Sequence, residues 1–275
     1  MTGGPNTQLR AHCTTEADGR ITFRLPALDA AEPRLLLRLR PKKGMPEETV
    51  HLLPLEEAAD GGRSAVLDPG PVLPEGRWDA YLLPEPEAPR ERLRPGMRDQ
   101  RALVDGHTRD WPAPLAVRVP YTTKDGYLAI RTWLRTAHAE IETITVTDRT
   151  MTVGARLHGA TLAEGAVVRV RARGADGPVR TSGTENAGQR FSFTVDLAEL
   201  ADAGADRVWD VSVRPGTDAP YIRLGRLLDD IADRKEIFVY PAAAVGDARV
   251  RPYYTVDNDL SVEVKSAVTT GSRRP

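Results

Sequence analysis

The sequence predicts an all-β protein built as two tandem sandwich domains. Three observations carry this: a long stretch that occurs twice, short alternating apolar pieces bounded by turn residues, and little helical periodicity. The first copy of the stretch begins at Trp78 (WDAYLLPEPEAPRERL) and the second at Trp209 (WDVSVRPGTDAPYIRL). Laid together without a gap they share Trp, Asp, Pro, Ala, Pro, Arg and Leu at an offset of 131 residues. Downstream, Pro120, Tyr121, Thr123, Asp125 and Leu128 face Pro252, Tyr253, Thr255, Asp257 and Leu260 at an offset of 132. Upstream, the runs around Ile21 and Leu36 face those around Met151 and Val168. A unit of about 130 residues is an ordinary domain, far longer than a solenoid repeat. The expectation is therefore two immunoglobulin-like β-sandwich repeats over 14–136 and 137–268, with a flexible leader at 1–13 and a disordered tail at 269–275. Two small β-barrels are the alternative.

In the first repeat the strand pieces are Ile21–Leu25, Leu35–Arg40, Val50–Leu53, Ala65–Leu67, Trp78–Leu83, Leu115–Val119 and Tyr127–Trp133. Many alternate with period two and end at Gly, Pro, Asp or Asn, as antiparallel strands do. The second repeat offers Ile141–Val146, Thr150–Leu157, Ala166–Val170, Phe191–Val195, Trp209–Val213, Ile237–Tyr240, Ala248–Arg251 and Leu260–Val264. Helical spacing is confined to Leu197–Ala203 and Leu224–Lys235, the latter with apolar residues at 224, 227, 228, 231 and 232. The segment 84–114 is long, rich in Pro and Arg, and reads as a functional or mobile loop. Residues 133–140 form a short connector, which should keep the domains in touch or at a restricted angle.

Composition excludes several classes. The 275 residues carry 38 basic and 39 acidic side chains, balanced in both halves, so nucleic-acid binding is not expected. A single cysteine, Cys13, rules out an internal disulfide framework and a cysteine-based zinc site. No run reaches the ~20 apolar residues of a membrane helix and no signal-peptide core is visible, so a cytoplasmic location is expected. Abundant Arg, Ala, Gly and Pro with few Lys reads as a GC-rich coding bias.

The Tyr-x-Thr block after a Trp-Asp strand carries a resemblance. Tyr121, Thr123, Gly126 and Leu128 in the first copy, and Tyr253, Thr255 and Leu260 in the second, resemble tandem β-sandwich accessory segments. Those segments belong to actinobacterial glycosyltransferases and CDP-glycerol-type glycerophosphotransferases, where the block reads Tyr-x-Thr-x-x-Gly-Asn-Leu. Tyr127 stands where Asn is usual, and Asn258–Asp259 replace Gly-Asn. The resemblance implies an ancillary, glycan-related module and transfers no catalytic residue.

Duplicated residues favour structural roles. Trp78 and Trp209 fit core anchors better than stacking platforms. Arg92 and Arg223 fit buried bridges to a strand Asp, with anion capture as the alternative. The Tyr-x-Thr-x-Asp blocks fit hairpin turns, where Asp and Asn tolerate left-handed backbone. Single-copy features are the better binding candidates: Arg90, Arg94 and Arg98 in RERLRPGMRDQR, and the aromatics Trp111, Tyr127 and Trp133. Guanidinium forks match phosphate and carboxylate. No His, Cys or acid spacing matches a metal or nucleophile motif, so no metal, cofactor or catalytic residue is assigned. The leading expectation is a non-catalytic binding or interaction module beside a glycan, cell-envelope or natural-product enzyme. Its candidate partners are a glycan, polyol phosphate, other small molecule or protein. The alternative is a biosynthetic transferase or cyclase with a pocket in or between the domains.

Overall fold

The computed structural model describes residues 9–41, 44–47, 49–70 and 72–267. These fall into two compact units. One comprises the residues up to Arg109 together with Ala116–Arg135 and Leu228–Ala232. The other comprises Asp110–Leu115, Thr136–Leu227 and the residues from Asp233 onward.

The first unit is a two-layer sandwich. One layer orders Glu56–Glu57, Arg63–Leu67, Ile21–Leu25, Arg10–Thr15 and Arg94–Asp99, antiparallel except for the last pair, which is parallel. The other orders Val50–Pro54, Arg34–Leu39, Gly76–Leu83, Leu128–Arg135 and Leu115–Thr122, with Glu91–Arg92 beside Gly76–Leu83. Strand alternation decides what faces the core. Trp78, Ala80 and Leu82 point inward to meet Ile21, Phe23, Leu67 and Cys13. Asp79 and Tyr81 therefore stand on the other face.

The second unit repeats this order. Its first layer is Glu185–Ala187, Arg190–Asp196, Thr150–His158, His138–Val146 and Ile222–Gly225. Its second contains Val179–Gly183, Val167–Ala172, Arg207–Arg214, Leu260–Ser266, Ala248–Tyr254 and Ala243–Val245. Ile222–Gly225 touches both layers: Ile222 and Arg223 pair with Arg207–Arg214, while Leu224 and Gly225 pair parallel with Ala139 and Glu140. In the first unit the same job is divided between Glu91–Arg92 and Arg94–Asp99. Between them, Leu93 donates its N–H to Ala80 at 3.0 Å. Trp209, Val211 and Val213 anchor the second core with Phe191, Phe193 and Leu157. Among the described residues neither path closes on itself, so the architecture is all-β and sandwich-like, and the barrel alternative falls.

Several expectations are corrected. Residues 10–13 of the expected leader lie in a strand, Arg10–Thr15, that buries Ala11, Cys13 and Thr15. Residues 1–8 of that leader and the expected tail 269–275 lie outside the described residues. The segment 84–114 is not one loop: it holds the strands Glu91–Arg92 and Arg94–Asp99 and single 3-10 turns at Arg101–Leu103 and Gly106–Thr108. The connector 133–140 is mostly the ends of Leu128–Arg135 and His138–Val146. Of the two helix candidates, Leu197–Ala201 forms, capped by Asp196 accepting from the Ala198 N–H at 2.8 Å. Leu224–Lys235 does not: Leu224 is in a strand, and Leu227, Leu228 and Ala232 are buried from irregular chain. Ile237–Tyr240 is likewise not a strand, and the outermost pairing falls to Ala243–Val245.

Candidate functional site

The duplicated block builds the same polar arrangement on the outer face of each sandwich. In the first unit Asp79 is 3% exposed and collects three arginines. Arg40 grips it with Nε at 2.9 and 3.0 Å and a terminal nitrogen at 2.7 Å; Arg92 and Arg38 reach it at 3.1 and 3.3 Å. Burial pushes the Asp79 carboxyl pKa up, but Arg40, Arg92 and Arg38 outweigh it and hold the carboxyl below its usual range. Arg38 also meets Glu47, which Arg90 holds with two hydrogen bonds at 2.6 and 3.0 Å. Arg38 and Arg90 lie over the Tyr81 ring, and Arg92 and Arg94 over Tyr127 at 4.0 and 4.2 Å. This is a closed, guanidinium-rich cluster.

In the second unit the equivalent residues line an open cleft of about 350 Å³. Arg173, standing where Arg40 stands, grips Asp210 with three contacts of 2.8–3.0 Å. Ser261 adds a hydrogen bond to Asp210 at 2.8 Å. Burial raises the Asp210 carboxyl pKa, but Arg173 and Ser261 prevail and lower it. Arg223, the partner of Arg92, turns instead to Asp259 at 2.8 Å. Tyr253, Thr255 and Lys235 complete the walls. Burial raises the Tyr253 phenol pKa. The Asp210 and Arg223 side chains are 54% and 58% exposed, so both present free surface to a ligand.

The turn below each site explains the repeated Tyr-x-Thr-x-Asp block. Gly126 and Asn258 occupy the same left-handed position, at φ +78° and +60°. The turns close alike, with Gly126 N donating to Thr123 O and Asn258 N to Thr255 O. Only Gly and Asn-type residues visit that region cheaply.

The single-copy candidates are scattered. Arg90, Arg94 and Tyr127 lie around the Asp79 cluster, with Arg94 donating to the Asp125 and Gly126 carbonyls at 3.0 and 2.9 Å. Arg98 donates to Thr122 Oγ1 at 2.6 Å from an exposed strand position. Trp133 is 1% exposed, with Arg131 over its ring at 5.0 Å. It lies six residues along the strand from Tyr127, roughly 20 Å away, so the two do not share one surface spot. Trp111 belongs to the other unit. Duplication argues for structural roles at Asp210 and Tyr253, and for Arg223 it leaves anion capture as the alternative. Their signal was the lost counterpart: Tyr127 in one copy, Asp259 in the other.

Other polar features are less suited to ligands. His138 and Glu140 are fully buried and 2.8 Å apart, and Glu140 also accepts the Leu227 N–H at 2.8 Å. That pair anchors chain, not substrate. Cys13 is buried, and burial pushes its thiol up to about 12, far from a nucleophile. Hollows of about 720 and 730 Å³ are wider than the cleft. One lies beside Arg10, Arg24 and Asp60 and the other among alanines, and neither contains this Asp–Arg–Tyr set. Among the described residues no group of three or more His, Cys, Asp or Glu side chains is placed to hold a metal, and no helix is long and apolar enough to cross a membrane.

Neither a protein-family model nor a curated protein matches the chain. Among solved structures it is similar to residues 217–571 of S. aureus TarS, a glycosyltransferase, at 13% identity and TM-score 0.35, covering 68% of this chain and 44% of that one. A second S. aureus TarS structure gives 15% identity and TM-score 0.37, covering 62% of this chain and 31% of that one. A tetra-tandem repeat from the extending region of a large adhesion protein gives 10% identity and TM-score 0.20, covering 94% and 63%. The chain thus spans less than half of either TarS structure, and likenesses this distant carry no argument about what it binds or does.

Proposed function

We propose that the chain is a non-catalytic binding module for a hydroxyl-rich ligand of the glycan or polyol class, working beside an enzyme that handles such molecules. The observation that carries this is the cleft of about 350 Å³ around Asp210, Arg223 and Tyr253. Its volume lies at the lower end of ligand sites. Its walls are charged and hydrogen-bonding, with one aromatic ring, which suits hydroxyls better than an apolar substrate. Asp210 keeps acceptor capacity on Oδ2 beyond its Arg173 contact, and Arg223 keeps donors beyond Asp259. A vicinal diol can donate to the first and accept from the second.

The strand order also supports an immunoglobulin-like assignment for each unit. Arg10–Thr15, Ile21–Leu25, Arg63–Leu67 and Glu56–Glu57 follow the A-B-E-D order, and Arg34–Leu39, Gly76–Leu83 and Glu91–Arg92 the C-F-G order.

Calorimetric titration with oligosaccharides and alditols tests the binding role. Saturable binding that Asp210→Asn and Arg223→Ala both weaken, in variants that stay folded at the assay temperature, is the expected result. Wild-type protein that binds none of them would overturn it.

A further inference from the structure

We propose that the first unit holds a second site, around His12 and Arg24, that takes a small organic anion: a carboxylate or phosphate monoester joined to an apolar body. A hollow of about 720 Å³ opens on the outer face of the layer that contains Arg10–Thr15 and Ile21–Leu25. That volume is within the range of small-ligand sites. His12 and Arg24 stand directly opposite each other in this ladder, and both line the hollow. Side chains opposite one another start about 5 Å apart, so an imidazole and a guanidinium reach the same small group. For a hydroxyl-rich ligand this hollow is the poorer fit, because it lacks the cleft's Asp–Arg–Tyr set. For an anion with an apolar body it is the better one.

Three features fix the imidazole. The pairing of Arg10–Thr15 with Arg94–Asp99 slips between Ala11 and Cys13, which leaves His12 in a bulge, and bulges re-aim side chains. The ring lies against Gly96, where a Cβ would come within 2.9–3.0 Å of it. The Met97 N–H donates to His12 Nδ1 at 3.1 Å. A ring nitrogen that accepts carries no proton, so the proton sits on Nε2 and makes it a donor. Nε2 has no acceptor among the described residues. The Arg24 side chain is exposed, and its guanidinium makes no hydrogen bond or ion pair among the described residues. Arg10, also in the lining, gives one terminal nitrogen to the Pro95 carbonyl at 2.8 Å and makes no ion pair among them. The acid in the lining is Asp60, whose Oδ1 accepts the Gly62 N–H at 3.1 Å. Two guanidiniums thus face one carboxylate. An oxyanion can accept from the Arg24 fork and the His12 Nε2–H together. Pro26, Ala27 and Met97, the last 71% exposed, give its apolar body a surface to cover.

The second unit is an internal control. The rung that pairs Cys13 with Phe23 in the first unit pairs Ile144 with Val153 in the second. The next rung carries Thr143 and Gly154 where the first unit has His12 and Arg24. The sandwich therefore forms without an imidazole or a guanidinium at these positions. They are a property of one unit, not a requirement of the fold.

Methyl-labelled methionine reads the site by NMR, because Met97 lines the hollow while Met151 is buried in the core of the second unit. The full chain is titrated with phenyl phosphate, benzoate and benzyl alcohol at matched ionic strength. The expected result is a saturable shift of the Met97 methyl with phenyl phosphate or benzoate, an unmoved Met151, and little response to benzyl alcohol. Arg24→Gln and His12→Asn should each weaken the affinity by about tenfold or more. Asn still offers an acceptor to the Met97 N–H but lacks the Nε2 donor. Both changes replace exposed side chains, so the fold should persist, with Met151 in its wild-type position as the check. Tighter binding of phenyl phosphate assigns a phosphate monoester, and tighter binding of benzoate a carboxylate. No saturable Met97 shift with either anion, equal binding of benzyl alcohol, or wild-type affinity in either variant overturns the site. Asp210→Asn should leave the Met97 response intact, which separates this test from that of the cleft.

Discussion

Arg92 lies over the ring of Tyr127 at 4.0 Å, and at the same two positions of the second unit Arg223 forms an ion pair with Asp259 at 2.8 Å. One duplicated arginine has thus kept its place while its partner changed from an aromatic face to a carboxylate. The fold tolerates either, so Tyr127→Asp should keep the first unit folded by giving Arg92 and Arg94 a new acceptor. Tyr127→Ala should cost about 1–2 kcal/mol, because two stacked guanidiniums lose their ring. Urea denaturation of the two variants compares them. A Tyr127→Asp protein less stable than Tyr127→Ala would show that the positions are not equivalent.

The two duplicated aspartates should differ sharply in weight. Asp79 is nearly buried and its carboxylate holds three guanidiniums, so Asp79→Asn strands buried charge and should cost about 3–5 kcal/mol. Asp210 and Arg173 are each about half exposed, and solvent screens their pair, so Asp210→Asn should cost under about 1 kcal/mol. Asp79 also gives acid sensitivity. Its folded pKa lies below the unfolded value of about 3.9. Its stabilisation is therefore complete above that value and is lost as pH falls through the folded pKa. Stability measured from pH 5 downward should fall less steeply in Asp79→Asn than in wild type.

Much of this architecture is legible in the sequence, because alternation and duplication are both written in residue order. Ile21–Leu25 and Phe191–Val195 read as strands since one face is apolar. Arg94–Asp99 does not: it joins by parallel pairing to Arg10–Thr15, buries little, and carries arginines where a core strand would carry valines. Arg10–Thr15 buries only small side chains, Ala11, Cys13 and Thr15, which give a faint hydrophobic signal. Leu224–Lys235 has helical spacing, yet Leu224 is buried from a strand and Leu227 and Leu228 from irregular chain that follows it. The cleft was hidden for another reason. Asp210 repeats Asp79, whose carboxylate is taken up by three arginines, and the exposure that sets the second copy apart is not written in residue order.

The duplicated tryptophans should respond differently to loss of the indole N–H. Both are core residues, and either Trp→Ala change should cost about 3–5 kcal/mol. Trp78 donates to the Pro74 carbonyl at 3.1 Å, whereas the Trp209 Nε1 is buried with no acceptor among the described residues. Trp209→Phe removes an unsatisfied donor along with some volume, while Trp78→Phe removes a made hydrogen bond as well. Trp78→Phe should therefore be the more damaging by about 1 kcal/mol. Equal losses in thermal or urea denaturation would contradict the assignment.

His158 should make the protein lose stability in mild acid. It is 4% exposed, and burial is the largest cause that brings its pKa down to about 4. The adjacent His138 and Arg156 push in the same direction, against the opposing charge of Asp110. An unfolded histidine titrates near 6.5. Between these values the unfolded chain binds a proton that the folded chain refuses, so protonation favours unfolding. The stabilisation is full above about pH 6.5 and is lost progressively as pH falls to about 4. A shift of this size corresponds to about 3 kcal/mol at most. His158→Gln, which cannot take up that proton, should flatten the pH dependence of the unfolding free energy between pH 6.5 and 4. Asp79 acts below that window, so the two carboxylate and imidazole contributions separate on the pH axis. A His158→Gln protein with the wild-type slope through pH 5 would mean that His158 takes up its proton in the folded state as readily as in the unfolded chain.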